Sequence, residues 1–289
     1  MSRQGPDNGR NGFVLYYYEP SLIAAGVCAG VFFLSSFVHA FQIYRTKTWY
    51  FIPMVIGAQM EGLGYVGRMM SHKDPNALAP YIMQSVLLLV APALFAAAIY
   101  MVLGRLIRTV NGEDYCIIRV NWLTKVFVLG DVFTFFVQAS GAGLLSSGDH
   151  TTTGRNVILG GLGLQILFFG LFIVVALIFH VRMHRSPTAA ALAHQEQAPV
   201  SWRRMLLVLY FASQLIIIRS GFRLVEYIQG HDGALMRKER WLYMFDALLM
   251  AQTVLVFNWY HPSRSVFQGG VVERYEMEDK PEISVVSSV

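Results

Sequence analysis

Charge is scarce in this chain. Acidic and basic residues make up 14% of its 289 positions, against roughly 25% in soluble domains, which excludes an ordinary water-soluble fold. Cysteine is scarcer still, with only Cys28 and Cys116. Cys28 falls in an apolar run and Cys116 in a loop assigned below to the reducing side, so both are expected to be free thiols, and a cysteine-based zinc site is excluded. Walker, G-x-S-x-G and H-E-x-x-H patterns are absent, which removes ATP-driven transport and the familiar serine and zinc hydrolases. The polar opening MSRQGPDNGRNG lacks the short apolar core of a cleavable signal, so the first span is expected to act as its own targeting signal.

Apolar residues fill this space, at 55% of the chain with a mean hydropathy of +0.46. Seven runs are long enough to cross about 30 Å of hydrocarbon at 1.5 Å per residue: 21–44, 49–70, 79–108, 118–140, 154–180, 201–228 and 240–260. Lipid admits only helices and closed barrels, and barrel strands are much shorter than these runs. The expectation is an all-α polytopic bundle of seven transmembrane helices. A polar N-terminus (1–20) would precede the membrane domain (21–262), with an acidic, Ser- and Val-containing tail (263–289) after it, expected to be disordered. The fifth loop, rich in alanine with Pro187 and Pro199, reads as a short linker.

Orientation follows from lysine and arginine in the loops. Loops one, three and five carry nine (Arg45, Lys47, Arg105, Arg108, Arg119, Arg182, Arg185, Arg203, Arg204), and loops two, four and six carry five (Lys73, Arg155, Arg237, Lys238, Arg240). The N-terminus is therefore expected outside and the C-terminus in the cytosol. The sequence pI near 9.2 then reflects basic residues facing an anionic leaflet, and no basic module for nucleic acid is present.

The informative residues are the charges placed inside apolar runs, each costing roughly 2.5–3.5 kcal/mol on insertion scales. Arg219, Arg223 and Glu226 stand at i, i+4 and i+7, one face of a helix. Alternating the span directions sets Glu61 near mid-membrane and Arg68, Arg219, Arg223, Glu226 and Asp246 in the outer half. Asp131 and Gln138 share a face of the fourth span, and Gln84 and Gln165 lie in outer halves of the third and fifth. Polar residues between membrane helices often only fix which helices are neighbours. Seven charges sealed in a dry core would all need near-perfect pairing, which favours a hydrated cavity lined by Glu61, Arg68, Arg219, Arg223, Glu226 and Asp246.

Other features yield less. His39, His180 and His261 fall toward the cytosolic side, where a metal would need three such ligands converging; interfacial histidines that keep their rings wetted are the favoured reading, and no metal or cofactor is expected. Gly26 and Gly30 form a G-x-x-x-G pair, and Gly57, Gly64 and Gly67 thin the second span for close helix approach. Pro53 and Pro92 fall inside apolar spans, where a proline frees a carbonyl and kinks a helix.

The run Glu61, Gly62, Leu63, Gly64, Tyr65, Val66, Gly67, Arg68 resembles the E-x-x-G-Y-x-x-R signature of the fungal RTA1-like membrane proteins, also called lipid-translocating exporters. Further matches follow in order: Gln84, Pro92, Ala97 and Tyr100; Asp131, Gln138, Gly141 and Gly143; Gly160, Gly163 and Gln165; Arg219, Arg223 and Glu226; Glu239, Tyr243 and Asp246; His261 and Pro262. The resemblance runs from Tyr18 to Pro262. It implies a seven-span plasma-membrane transporter, not an enzyme, that moves sphingoid bases or other amphiphilic lipids and is linked to toxin resistance. Glu61, Arg68, Gln84, Asp131, Gln138, Arg219, Arg223, Glu226 and Asp246 are the expected substrate-binding residues, and membrane lipids the expected surroundings. A seven-helix sensor is the alternative the resemblance leaves open, and an intramembrane hydrolase or cyclase using Glu61, Asp131 and Asp246 is the enzymatic one. The chain departs from some relatives in having no N-x-S/T sequon, so external glycosylation does not apply. Oligomeric state stays open.

Overall fold

The computed structural model describes residues 21–73, 77–146, 151–229 and 239–266. Over these residues the chain is helical, with short 3-10 turns between helices. Ser21 caps α1 (Leu22–Thr46) by accepting a hydrogen bond from the Ala24 amide, and Lys47 ends it in the left-handed region at φ 56°. A 3-10 turn at Trp49–Phe51 leads into α2 (Ile52–Lys73). Pro53 is the second residue of α2. There its missing N–H costs nothing, so the kink expected at this proline has no basis. Pro92 does lie inside α3 (Leu78–Thr109). Then come α4 (Val120–Ser146), α5 (Thr151–Arg185), the short α6 (Ala189–Gln197) and α7 (Trp202–Gln229). The last span is one continuous helix made of α8 (Glu239–Leu242), a π-helical turn (Tyr243–Ala247) and α9 (Leu248–Trp259).

Among the described residues, six helices are long and apolar enough to cross a membrane: α1, α3, α4, α5, α7 and the α8–α9 helix. The chain is thus an all-α polytopic membrane protein. The exception to the seven expected spans is α2, whose 22 residues include Glu61, Arg68 and four glycines that lower its hydropathy. Its packing explains how so polar a helix is tolerated. It lies between α1 and α3, and Glu61, Tyr65, Arg68 and Ser71 are all buried. The outward-facing residues of α1, such as Ile23, Leu34, Phe37 and Tyr44, are by contrast large and exposed, as lipid contact requires.

Glycine sets how closely these helices approach, though not at every position expected. A Cβ on Gly57 would sit 2.7 Å from the Phe95 ring and 3.1 Å from the Ala91 carbonyl, and one on Gly64 2.7 Å from Leu88. These positions press α2 onto α3. The Gly26 and Gly30 pair does not pack this way: Gly30 has nothing within 4 Å and Gly26 only the flexible Met69 tip at 3.8 Å. In α4 the same distinction separates neighbours. A Cβ on Gly141 would meet the Gly154 carbonyl of α5 at 2.8 Å, whereas Gly143 has open space.

The fifth loop is more structured than a linker. Thr188 caps α6, and its hydroxyl donates to the Val110 carbonyl. His194 bonds the Ser265 carbonyl, while the Val200 amide donates to the Arg264 carbonyl. Burial lowers His194 below its ordinary value. Residues 263–266, assigned above to the tail, therefore pack against this loop, while the rest of the tail and residues 1–20 lie outside the described residues, as do Arg237 and Lys238. Cys28 and Cys116 are both free, and burial pushes the Cys116 thiol up to about 11, so it is not a reactive thiolate at neutral pH.

Gly141→Ala is expected to destabilise the purified protein by roughly 1–3 kcal/mol, since the methyl meets backbone that cannot rotate away. Gly143→Ala should be neutral or slightly stabilising through helix propensity. Thermal unfolding in detergent, followed by loss of the monodisperse peak, compares the two.

Candidate functional site

The charged residues expected to converge do so where α2, α7 and the α8–α9 helix meet. Asp246 sits at the centre, in the π turn, with 0% exposure. Arg219 Nε pairs with its Oδ1, and Arg223 Nη2 donates to its Oδ2 at 3.1 Å. Arg223 Nη1 also reaches Glu226 Oε2 at 3.0 Å. The helical spacing of Arg219, Arg223 and Glu226 thus works as expected: one face of α7 presents two cations to a single carboxylate. The π turn adds a residue to one helical turn, widening the helix locally, a feature frequent at functional sites.

A second group lies toward the start of α1. Glu239 Oε1 accepts from Arg68 Nη2 at 2.8 Å, Tyr243 Oη at 3.1 Å and the Ser21 amide at 2.9 Å. One carboxylate oxygen thereby joins the beginnings of α1 and α8 to the end of α2. Arg68 also stacks its guanidinium over the Tyr243 ring at 5.5 Å.

The third arginine contact is to backbone. Arg219 Nη2 donates at 2.6 Å to the Leu88 carbonyl of α3. Leu88 is four residues before Pro92, so its carbonyl is the one that the proline, lacking an N–H, leaves without a helical donor. Pro92 therefore creates the acceptor that Arg219 uses, and α7 is bonded to α3 through it.

Glu61 stands differently. It is 0% exposed, and neither oxygen has a hydrogen-bond partner. Asp246, Arg219, Arg223 and Cys28 all lie within its electrostatic reach, but no ion pair to it is formed among the described residues. Tyr65, one turn along α2, also has an unpartnered buried hydroxyl.

Two expected residues lie elsewhere. Asp131 accepts from Tyr100 Oη at 2.9 Å inside an aromatic nest of Phe127, Phe169 and Phe172. Gln138 Nε2 donates to Gln165 Oε1 at 3.0 Å. These pairs tie α4 to α3 and α5, apart from the arginine cluster. Gln84 is buried, its backbone close to Gly67 of α2. Gln252, in α9, is exposed. The cluster's fourth carboxylate is thus Glu239 and not Asp131.

Two site residues stand outside the expected set: Glu239 falls one residue before the seventh apolar run, and Tyr243, inside that run, carries no charge to single it out. The available signal was their spacing: Glu239, Tyr243 and Asp246 stand at i, i+4 and i+7, as Arg219, Arg223 and Glu226 do. The expected open cavity is also modified. Glu61, Arg68, Arg219 and Asp246 are between 0 and 4% exposed; exposure is confined to a rim of Arg223, Glu226 and Glu239, whose side chains are 20, 10 and 17% exposed.

At the opposite end, a cavity of about 250 Å³ is lined by Gln42, Arg45, His261 and Arg264 among others. His39 and His261 approach there, with ring centroids 6.1 Å apart, while His180 packs separately on Trp202 and Tyr210. Among the described residues no three His, Cys, Asp or Glu side chains are grouped to hold a metal.

The buried Glu61-to-Arg68 face of α2, joined through Arg68 to Glu239 and the π turn, lies within a stretch matching a known family profile. Residues 54–269 match the profile described as RTA1 like protein. The chain belongs to the RTA1-like family. It is 36% identical over 283 residues to Protoporphyrin uptake protein 1 of Saccharomyces cerevisiae, covering 86% of this chain and 92% of that one. It is 34% identical over 310 residues to Protein RTA1 of the same yeast, covering 96% of both. It is 25% identical over 256 residues to the Sphingoid long-chain base transporter RSB1, covering 78% of this chain and 67% of that relative. No solved structure matches it. Two of these relatives are named for uptake or transport.

Replacing Arg219 by Met should destabilise the protein by about 3 kcal/mol, the low end for breaking a buried pair, because Arg223 still faces Asp246. Arg108→Met, which removes the exposed pair with Glu113, should leave stability nearly unchanged. Unfolding temperatures of the two variants in the same detergent give the comparison.

Proposed function

We propose that this protein is a transporter that exports sphingoid-base-like or other amphiphilic lipids across the fungal plasma membrane. The observation that carries the reading is a buried cluster of three arginines and four carboxylates, open at a charged rim and walled by apolar helices. An amphiphile needs both surfaces. Its polar head seeks charge-assisted hydrogen bonds, while its chain follows lipid-facing grooves between helices. Glu61, Glu226 and Asp246 attract an ammonium head. Arg68, Arg219 and Arg223 hold these carboxylates in register or bind a phosphorylated head, with Gln84 beside them. Asp131 and Gln138 serve the same route from its α3–α5 wall.

In this reading α2 completes the seven spans, its charged face buried and Ile52, Ile56, Leu63 and Met70 exposed on the side left for lipid. The N-terminus lies outside, which puts the arginine cluster in the outer half and the His261 cavity at the cytosolic end. Two relatives support the substrate class by name, one a sphingoid long-chain base transporter and one a protoporphyrin uptake protein. Both ligands named there combine a large apolar body with ionisable groups.

Glu61→Gln and Glu226→Gln are expected to reduce release of labelled sphingoid base from cells at least about tenfold, the loss of roughly 1.4 kcal/mol or more of head-group interaction. Release at the wild-type level, with surface expression unchanged, would remove both residues from the transport route. Specific binding with no lipid movement in reconstituted vesicles would identify a sensor instead.

A further inference from the structure

The charge count of the cluster singles out one residue. Arg68 is matched by Glu239, and Arg219 and Arg223 are matched by Asp246 and Glu226. Every arginine charge is therefore neutralised without Glu61. Glu61 is fully buried, its two oxygens have no hydrogen-bond partner, and it forms no ion pair among the described residues. The groups facing it are Cys28 from α1, Arg219 and Arg223 from α7, and Asp246 from the π turn, with Tyr65 on its own helix also in reach. Asp246 is a like charge, and both arginines are already engaged with it. A buried carboxylate that lacks its own counter-ion takes up a proton rather than stay charged.

We infer that Glu61 is an exchange site, giving up one proton when the ammonium head of a cationic amphiphile binds and regaining it when the head leaves. The step balances in charge. The Glu61 carboxylic acid loses its proton to water, the carboxylate pairs with the incoming ammonium, and the cluster keeps the same net charge with and without cargo. No arginine pair has to break, so the binding reaction leaves the α2–α7–α8 junction intact. The proton is the counter-substrate, and a proton gradient is the energy source available to a chain without nucleotide-binding motifs. This rests on the lipid-transport reading and adds its coupling ion.

A hydrophobic carbodiimide reacts only with protonated carboxyls, which permits a test on the wild-type protein. The purified protein is treated with the reagent, and modification of Glu61 is followed by peptide mass spectrometry, with and without sphinganine or its uncharged N-acetyl derivative. The expected result is labelling of Glu61 that sphinganine abolishes and N-acetyl-sphinganine leaves in place. Absence of labelling across the pH range of stability would overturn the exchange. Equal protection by both lipids would overturn it as well, since simple occlusion would then explain the loss. Movement of labelled sphinganine across proteoliposomes is measured in parallel. Transport with an unlabelled Glu61 leaves the lipid-transport reading standing and removes the proton; charge-selective protection without transport keeps the exchange and removes the transport.

Discussion

Charged groups away from water must be paired, and that constraint organises this molecule. Asp246 receives two arginines from one face of α7, and Glu239 gathers Arg68, Tyr243 and the first amide of the α1 cap. Lipid offers no hydrophobic drive for one apolar helix to choose another. The pairs supply the selectivity that apolar contact lacks, fixing the last helix beside both α2 and α7 and tying the start of α1 to it. The pairing of Arg68 and the packing of α2 between α1 and α3 let that helix keep Glu61, Tyr65, Arg68 and Ser71 on one buried face.

Close approach does the rest of the positioning. Gly57 and Gly64 bring α2 against Phe95 and Leu88, and Gly141 brings α4 against the backbone of α5. At Gly57 and Gly141 the clash would be with a main-chain carbonyl as well as a side chain, so the spacing cannot be recovered by a rotamer change. The glycines and the ion pairs are complementary: the first set the distance between helices, the second their rotation and register.

Much of this was legible in the residues. The helical class followed from the length of the apolar runs, and the convergence of Arg219, Arg223 and Asp246 from spacing and depth alone. What escaped depends on local geometry that periodicity does not encode. The π turn at Tyr243–Ala247 adds a residue to one turn without any proline or glycine to mark it. Glu239 falls just outside the seventh apolar run, since a charge lowers the hydropathy that marks a span, although here the helix starts within the polar cluster. Asp131 stands among the expected binding residues, but its place in the run carries no azimuth, and its face of α4 meets Tyr100. Gly26 and Gly30 matched a packing motif, yet a motif names a capacity for contact and not the neighbour that would use it.

The bond from Arg219 to the Leu88 oxygen has a mechanical meaning. A carbonyl four residues ahead of a proline can never be reclaimed by its own helix, so sliding α7 away would strand that oxygen in hydrocarbon. Parting α3 from α7 at this point therefore leaves a buried carbonyl unpaired, at about 1–3 kcal/mol, which clamps the two helices together there.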